Sequence, residues 1–223
     1  MKKQWSVGML VFEQVDAFDF VGPSEILSHA RYTAEEVGNM LLGREDKQSK
    51  PFLVHTISET GEIITASNGI RINPDFSIGN APSFDILLIP GGFFSVIRKV
   101  AANQQLIQWV SDQMNRVELM TSVCSGTLVL AQAGLLQGKK ATTNRKLLTF
   151  LQQSYPEIRV IENRKFVDDG RIITAQGPDA GLHLAFHLVK RLMGENAARM
   201  VADTLEYDGY DDKAKVDAAD HLK

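Results

Sequence analysis

The chain has 223 residues, of which 44% are hydrophobic and 23% are charged, and its formal net charge is −3. These values are typical of one globular domain, and the weakly acidic balance argues against nucleic acid as a partner. A single cysteine excludes an intramolecular disulfide and favours a reducing compartment such as the cytoplasm, while the lack of any long uncharged apolar stretch argues against a membrane span.

Short apolar runs alternate with longer helical patterns. In chain order, strands are predicted at 7–12, 52–57, 85–89 and 119–123, and helices at 21–32, 104–115, 126–133 and 145–153. A hairpin is predicted for 166–167 and 171–174 because Asp-Gly between them suits a tight turn, and helices follow at 180–193 and 196–205. This alternation predicts an α/β fold, with a doubly wound, mostly parallel sheet and helices on both faces.

Two segments depart from the alternation. Residues 33–50 are polar and charged, and they are predicted to be an insertion that is helical near 34–42 and otherwise a loop. Residues 208–223 form a charged tail. The sequence therefore predicts one domain at 1–207, interrupted by the insertion and followed by the tail.

Cys124 follows a predicted buried strand and begins a predicted helix. Ser125 and Gly126 are small enough to allow a sharp strand-to-helix turn, as at the nucleophile of α/β hydrolases. The start of a helix would place N–H groups beside the sulfur and favour the thiolate. The alternative is an inert buried cysteine, since free cysteines are among the most buried residues.

A second feature is the turn Pro90-Gly91-Gly92, which follows the apolar strand at 85–89. Free N–H groups of Gly91 and Gly92 would make an oxyanion hole, because donors fixed in advance stabilise developing negative charge. The alternative is an ordinary tight turn after a strand.

Asp19 lies just past the first predicted strand, at the edge of the sheet where ligands bind in open α/β folds. A carboxylate at this position could move protons for Cys124. The alternative is that Asp19 caps the helix predicted to start near Val21.

Two histidines, His183 and His187, are four residues apart on one predicted helix, which is a spacing found in metal sites. They share a polar face with Lys190 and Arg191, so a solvated helix face is the preferred interpretation. No phosphate-binding glycine motif is found in the sequence, and neither a metal nor a cofactor is predicted.

Several stretches together resemble the ThiJ/PfpI superfamily, whose fold is related to class I glutamine amidotransferase domains. The most specific is T-S-V-C-S-G-T-L-V-L-A-Q-A-G-L-L-Q-G-K-K-A-T-T at 121–143, supported by D-F-V-G-P at 19–23, I-P-G-G at 89–92, the stretch 167–181 and L-E-Y-D at 205–208. The matches cover nearly the whole chain. Aspartate at position 19 and C-S-G followed by G-L-L-Q-G-K-K-A-T-T are most similar to the isocyanide hydratase branch.

The resemblance implies a flavodoxin-like fold, a homodimer and a small-molecule substrate. It implies Cys124 as the nucleophile and Asp19 as its acid/base partner. The glycines of the 91–92 turn, the start of the Cys124 helix (Ser125 and Gly126), and the 178–179 pair would surround the substrate.

Two departures from the family pattern bear on the reaction. Position 144, where relatives often carry histidine, is Asn144, and an amide cannot transfer protons near neutral pH. Gly177-Pro178-Asp179 replaces a more apolar, hydroxyl-bearing stretch. Asp179 either caps the helix predicted to begin near Ala180 or, if it faces the site, disfavours the thiolate.

Three functions remain open. The preferred one is hydration of an isocyanide to an N-substituted formamide. The alternatives are amidase, peptidase or glyoxalase-like chemistry on a carbonyl, and a non-catalytic redox or ligand sensor whose thiolate oxidises readily.

Overall fold

The structure, a computed structural model, describes residues 3–210, and within them the chain forms eleven strands and eight α-helices. The strands are β1 (Trp5–Leu10), β2 (Phe52–Ser58), β3 (Ile64–Thr65), β4 (Arg71–Ile72), β5 (Phe76–Ser77), β6 (Ile86–Ile89), β7 (Leu119–Val123), β8 (Lys140–Ala141), β9 (Arg159–Val160), β10 (Phe166–Asp169) and β11 (Ile172–Ala175). The helices are α1 (Ala17–His29), α2 (Ala34–Leu41), α3 (Phe94–Ala102), α4 (Gln104–Gln113), α5 (Thr127–Gln132), α6 (Leu148–Ser154), α7 (Pro178–Met193) and α8 (Glu195–Thr204). Short 3-10 turns occur at Lys47–Ser49, Cys124–Gly126 and Arg145–Leu147.

The central sheet has the strand order β10-β11-β7-β6-β1-β2-β5 and is parallel except for the β10–β11 hairpin. Every residue of β6 and β7 is buried, as expected for strands covered on both faces. Across the sheet, the chain moves from β1 toward the β5 edge when it forms β2, and from β6 toward the β10 edge when it forms β7. Because such crossovers are right-handed, the intervening helices lie on opposite faces, and the predicted doubly wound, mostly parallel sheet is confirmed.

The direction of winding reverses at β1, which lies between β2 and β6. In open α/β sheets this point leaves a crevice at the carboxyl ends of the strands, where ligands bind. The chain leaves β1, β6 and β7 at this edge, and these three exits carry the residues of the candidate site.

Helix α1 begins at Ala17, earlier than the predicted Val21. Its N-cap is Asp16, whose side chain accepts a hydrogen bond from the N–H of Phe18. Asp19 therefore lies inside the first turn, and the alternative that it caps the helix is wrong.

Helix α3 is absent from the prediction, as are the two-residue strands. The N-cap residue Phe93 offers no side-chain hydrogen bond, so the sequence carries no start signal for this helix. The hairpin is present, with Gly170 at φ 81° in its turn.

The helix predicted near 34–42 is present as α2, and it starts with a capping box between Thr33 and Glu36. The insertion is tied to the rest of the molecule through Arg31, which is almost fully buried and pairs with Glu45. Lys50 also pairs with Glu45, at 2.8 Å. Most of the predicted tail, residues 211–223, lies outside the described residues.

Candidate active site

Cys124 occupies a sharp turn between β7 and α5, as predicted. Its φ of 57° lies in the left-handed region, which is unusual for a residue with a side chain and is common at functional turns. A Cβ on Gly126 would lie 2.2 Å from the carbonyl oxygen of Ile89, so only glycine lets this turn approach the end of β6. The strain at Cys124 is therefore maintained by close packing of its neighbours.

Asp19 reaches the site from the first turn of α1 and is fully buried. Its Oδ2 accepts a hydrogen bond of 2.8 Å from the N–H of Gly91. Within the described part of the chain, Oδ1 has no hydrogen-bond partner at normal geometry. Burial, and then the charge of Asp16, raise the pKa of Asp19 to about 7, against smaller lowering effects from Gly91 and the Cys124 thiol.

The N–H groups at the helix start favour the thiolate, as predicted, but they do not make Cys124 a thiolate. Burial, followed by the nearby Asp19 carboxylate, raises the pKa of Cys124 to about 11. Hydrogen bonds from Asn144 and from the N–H of Ser125 oppose this rise without overcoming it. The resting site therefore holds a neutral thiol beside a carboxyl group that titrates near neutral pH.

The predicted oxyanion hole at Gly91 and Gly92 also needs correction, because neither amide is free. The N–H of Gly91 binds Asp19, and that of Gly92 donates to the Ser125 hydroxyl at 3.0 Å. The same hydroxyl donates to the carbonyl oxygen of Gly92 at 2.8 Å. A Cβ on Gly91 would lie 2.6 Å from Ser125 Oγ and 2.7 Å from Asp19 Oδ2. The two glycines thus position Asp19 and the turn.

Asn144 was predicted only as the residue that replaces a histidine, yet it contacts the sulfur directly. Its Nδ2 donates to Cys124 Sγ at 3.4 Å, and its Oδ1 accepts from the N–H of Lys146. The neighbouring Thr143 donates its hydroxyl to the carbonyl oxygen of Cys124 at 2.8 Å. This contact joins distant parts of the chain, so no local pattern predicts it.

Gln176 is a second residue that the sequence analysis missed. It follows Ala175, which pairs with Val123 in parallel register, so Gln176 leaves β11 beside the strand end that carries Cys124. Gln176 is buried and its Oε1 accepts from Nε of Arg145 at 3.1 Å.

Pro178 and Asp179, which were predicted to lie near the substrate, begin α7, and the carboxylate of Asp179 faces solvent. The Asp179 side chain is 61% exposed and forms an ion pair with Lys165. Despite the opposing effect of partial burial, this lysine holds the pKa of Asp179 below its ordinary value. Asp179 is therefore not a second buried carboxylate beside Cys124.

The two histidines of α7 do not form a metal site. His187 binds Asp168 at 2.7 Å, and Arg191 binds the same carboxylate. Among residues 3–210, no group of three or more His, Cys, Asp or Glu side chains could hold a metal ion. The helices of this range all lack the combination of length and hydrophobicity that a membrane span requires.

Comparison with known proteins places this site in a family. Residues 5–191 match the DJ-1/PfpI family. The chain belongs to the DJ-1/PfpI family. The resemblance to the ThiJ/PfpI superfamily is thereby confirmed, together with the flavodoxin-like fold that it implies.

Relatives within the DJ-1/PfpI family differ in kind. The chain is 30% identical to an isonitrile hydratase from Pseudomonas putida, over 90% of this chain and 78% of that protein. It is 27% identical to the HTH-type transcriptional regulator GbdR from Pseudomonas aeruginosa, over 91% of this chain and about half (51%) of the regulator.

Solved structures agree with the fold. A ThiJ/PfpI family protein from Pseudomonas syringae superposes with a TM-score of 0.76 at 26% identity, covering 92% of this chain and 76% of that one. Drosophila melanogaster DJ-1beta gives a TM-score of 0.71 at 19% identity, covering 91% and 98%.

Proposed function

We propose that this protein is a cysteine-dependent hydratase that adds water to an isonitrile (isocyanide) and forms an N-substituted formamide. The observation that carries the proposal is the buried Asp19 carboxyl group, whose pKa of about 7 suits proton transfer at neutral pH next to the Cys124 thiol. Similarity to the Pseudomonas putida hydratase supports the same choice.

The reaction would begin with transfer of the Cys124 thiol proton to Asp19 as the sulfur attacks the terminal carbon of R–N≡C. The protonated Asp19 then gives this proton to the same carbon, and an S–CH=N–R thioimidate results. Because Asp19 is a carboxylate again, it can remove a proton from the water that attacks the thioimidate carbon. Expulsion of the sulfur leaves R–NH–CHO: one water proton ends on nitrogen, and the other returns to the thiol.

The neighbouring residues suit this sequence of steps. Asn144 Nδ2 and the N–H of Ser125 donate to the sulfur, so they would stabilise the thiolate when it forms and when it leaves. Asn144 transfers no proton, and so all proton transfers are assigned to Asp19.

Hydration of a simple alkyl isocyanide, followed by formamide absorbance, tests the proposal. We expect turnover by the wild type and none by Cys124→Ala. The rate of Asp19→Asn should be at least ~100-fold lower, since the asparagine amide cannot accept the thiol proton. Asp179→Asn is the matched control, because its carboxylate faces solvent, and it should keep wild-type turnover. Absence of wild-type turnover, or turnover that survives Cys124→Ala, would contradict the proposal.

The alternatives are less well supported. An amidase or peptidase that works through a cysteine–histidine pair is disfavoured, because position 144 carries an amide in place of the histidine. A redox sensor works through a low-pKa thiolate, whereas burial and Asp19 raise the pKa of Cys124. The homodimer stays a prediction that sedimentation velocity would test.

A further inference from the structure

Arg145 and Gln176, beside the Cys124 turn, carry hydrogen-bond donors that the proposed hydration does not use. Arg145 directly follows Asn144, the residue that contacts the sulfur, and its Nε is held by Gln176 Oε1 at 3.1 Å. Gln176 is only 5% exposed, and within residues 3–210 its Nε2 has no hydrogen-bond partner. A buried amide N–H without a partner is costly, and a ligand atom that accepts from it would remove that cost.

Arg145 is exposed, and its hydrogen bond to Gln176 uses only Nε, which leaves the two terminal amino groups of the guanidinium for a ligand. Guanidinium groups bind carboxylates through two parallel hydrogen bonds. Gln176 therefore fixes the orientation of the arginine and adds an N–H donor of its own.

Two carboxyl groups also lie near Cys124. Asp19 and Asp16 both raise the pKa of the thiol through their charges. An anionic group on a ligand would be repelled by these two carboxylates and attracted toward Arg145.

We propose that Arg145 and Gln176 form a binding site for the carboxylate of a small substrate whose reactive carbon is attacked by Cys124. The carboxylate would bind the guanidinium and the Gln176 Nε2–H. The identity of the reactive group rests on the proposed hydratase function, whereas the recognition of a carboxylate does not.

Alkylation of Cys124 measures this recognition without hydratase chemistry. The sulfur displaces iodide from iodoacetate or iodoacetamide; a C–S bond replaces the C–I bond, and the thiol proton goes to solvent. The two reagents differ only in carrying a carboxylate or a neutral amide, and Cys124 is the sole cysteine of the chain, so intact mass reports its rate directly. We expect Arg145→Gln to lower the iodoacetate-to-iodoacetamide rate ratio about fivefold at low salt.

Lys146→Gln is the matched control, because it removes an adjacent exposed cation that does not bind Gln176. This variant should change the ratio by less than twofold. An unchanged ratio in Arg145→Gln, or an equal fall in Lys146→Gln, would overturn the proposal. Any change in thiol pKa affects both reagents alike and cancels in the ratio.

Turnover of isocyanoacetate and of its neutral methyl ester separates the two proposals. If the wild type prefers isocyanoacetate and Arg145→Gln loses this preference, the hydratase function and the carboxylate site are both supported. Hydration of the ester without that preference overturns carboxylate recognition alone. Failure to hydrate either compound, with the alkylation ratio still dependent on Arg145, overturns the hydratase proposal and supports the carboxylate site.

Discussion

At the scale of single residues, the site is built around two neighbouring buried groups that both hold a proton more tightly than usual. Burial raises the pKa of both Asp19 and Cys124, to about 7 and about 11. The sequence predicts these two residues, because each stands in a short, recognisable segment. It does not predict the pKa of the thiol, since that depends on how deeply three separate strand ends bury it.

Activity should depend on pH through Asp19. If the carboxylate accepts the thiol proton, kcat/KM rises with pH and reaches half of its plateau at about pH 7, the pKa of Asp19. The charge of Asp16 contributes to that raised pKa, so Asp16→Asn should move the midpoint to lower pH. Asparagine caps helices as well as aspartate does, so α1 should keep its start. A midpoint that does not move in this variant would contradict the assignment.

The same carboxyl group should reduce stability. Its folded pKa is raised from 3.8 to about 7, so the folded state binds the proton more tightly than the unfolded chain. The free energy of unfolding therefore falls as pH rises from about 4 to about 7, by at most about 4 kcal/mol. Asp19→Asn should be more stable than the wild type by roughly 2–4 kcal/mol at pH 8, and the difference should shrink toward pH 4. Urea unfolding at both pH values measures this; a difference independent of pH would contradict it.

At the scale of elements, the site depends on a close approach between the Cys124 turn and the end of β6. The strand ends and the turn are predictable from sequence, because buried apolar runs and small residues mark them. The hydrogen bonds of the Gly91 and Gly92 amides are not predictable from sequence, because their acceptors, Asp19 and Ser125, belong to other elements.

Gly126→Ala tests that approach. The added Cβ would lie 2.2 Å from the Ile89 carbonyl oxygen, and both groups belong to backbone that cannot move aside easily. We expect a loss of about 3 kcal/mol or more in the free energy of unfolding. Gly38→Ala is the control, because Gly38 lies in α2 with nothing within 4 Å of the added Cβ, and alanine should stabilise the helix by about 0.5–1 kcal/mol. Equal effects of the two changes would exclude the packing argument.

At the scale of the whole molecule, the parallel sheet and its helices are predicted from the alternation of apolar runs and helical patterns. What the sequence leaves open is which distant segments meet. Asn144 reaches Cys124 from a distant segment, and Gln176 follows the strand that pairs with β7; neither residue carries a local signal of these positions. Arg31 and Glu45 likewise join the insertion to the body of the protein across a polar segment that gives no hint of a buried guanidinium.

The insertion should matter for global stability through this pair. Lys50 and Arg31 hold the pKa of Glu45 below its ordinary value, against the opposing effect of burial. Glu45→Gln removes the charge partner of a guanidinium that is 1% exposed, and should cost about 2–4 kcal/mol in thermal or urea unfolding. Glu35→Gln, on the exposed side of α2, should change stability by less than about 0.5 kcal/mol. A Glu45→Gln protein as stable as the wild type would mean that Arg31 is satisfied without its ion pair.

The tight packing at Gly126 also has an evolutionary consequence. A turn that leaves no space for a methyl group at Gly126 tolerates little change at that position. Arg145, by contrast, is exposed. Over many generations, mutations would therefore accumulate at exposed positions such as this one more readily than in the Cys124 turn.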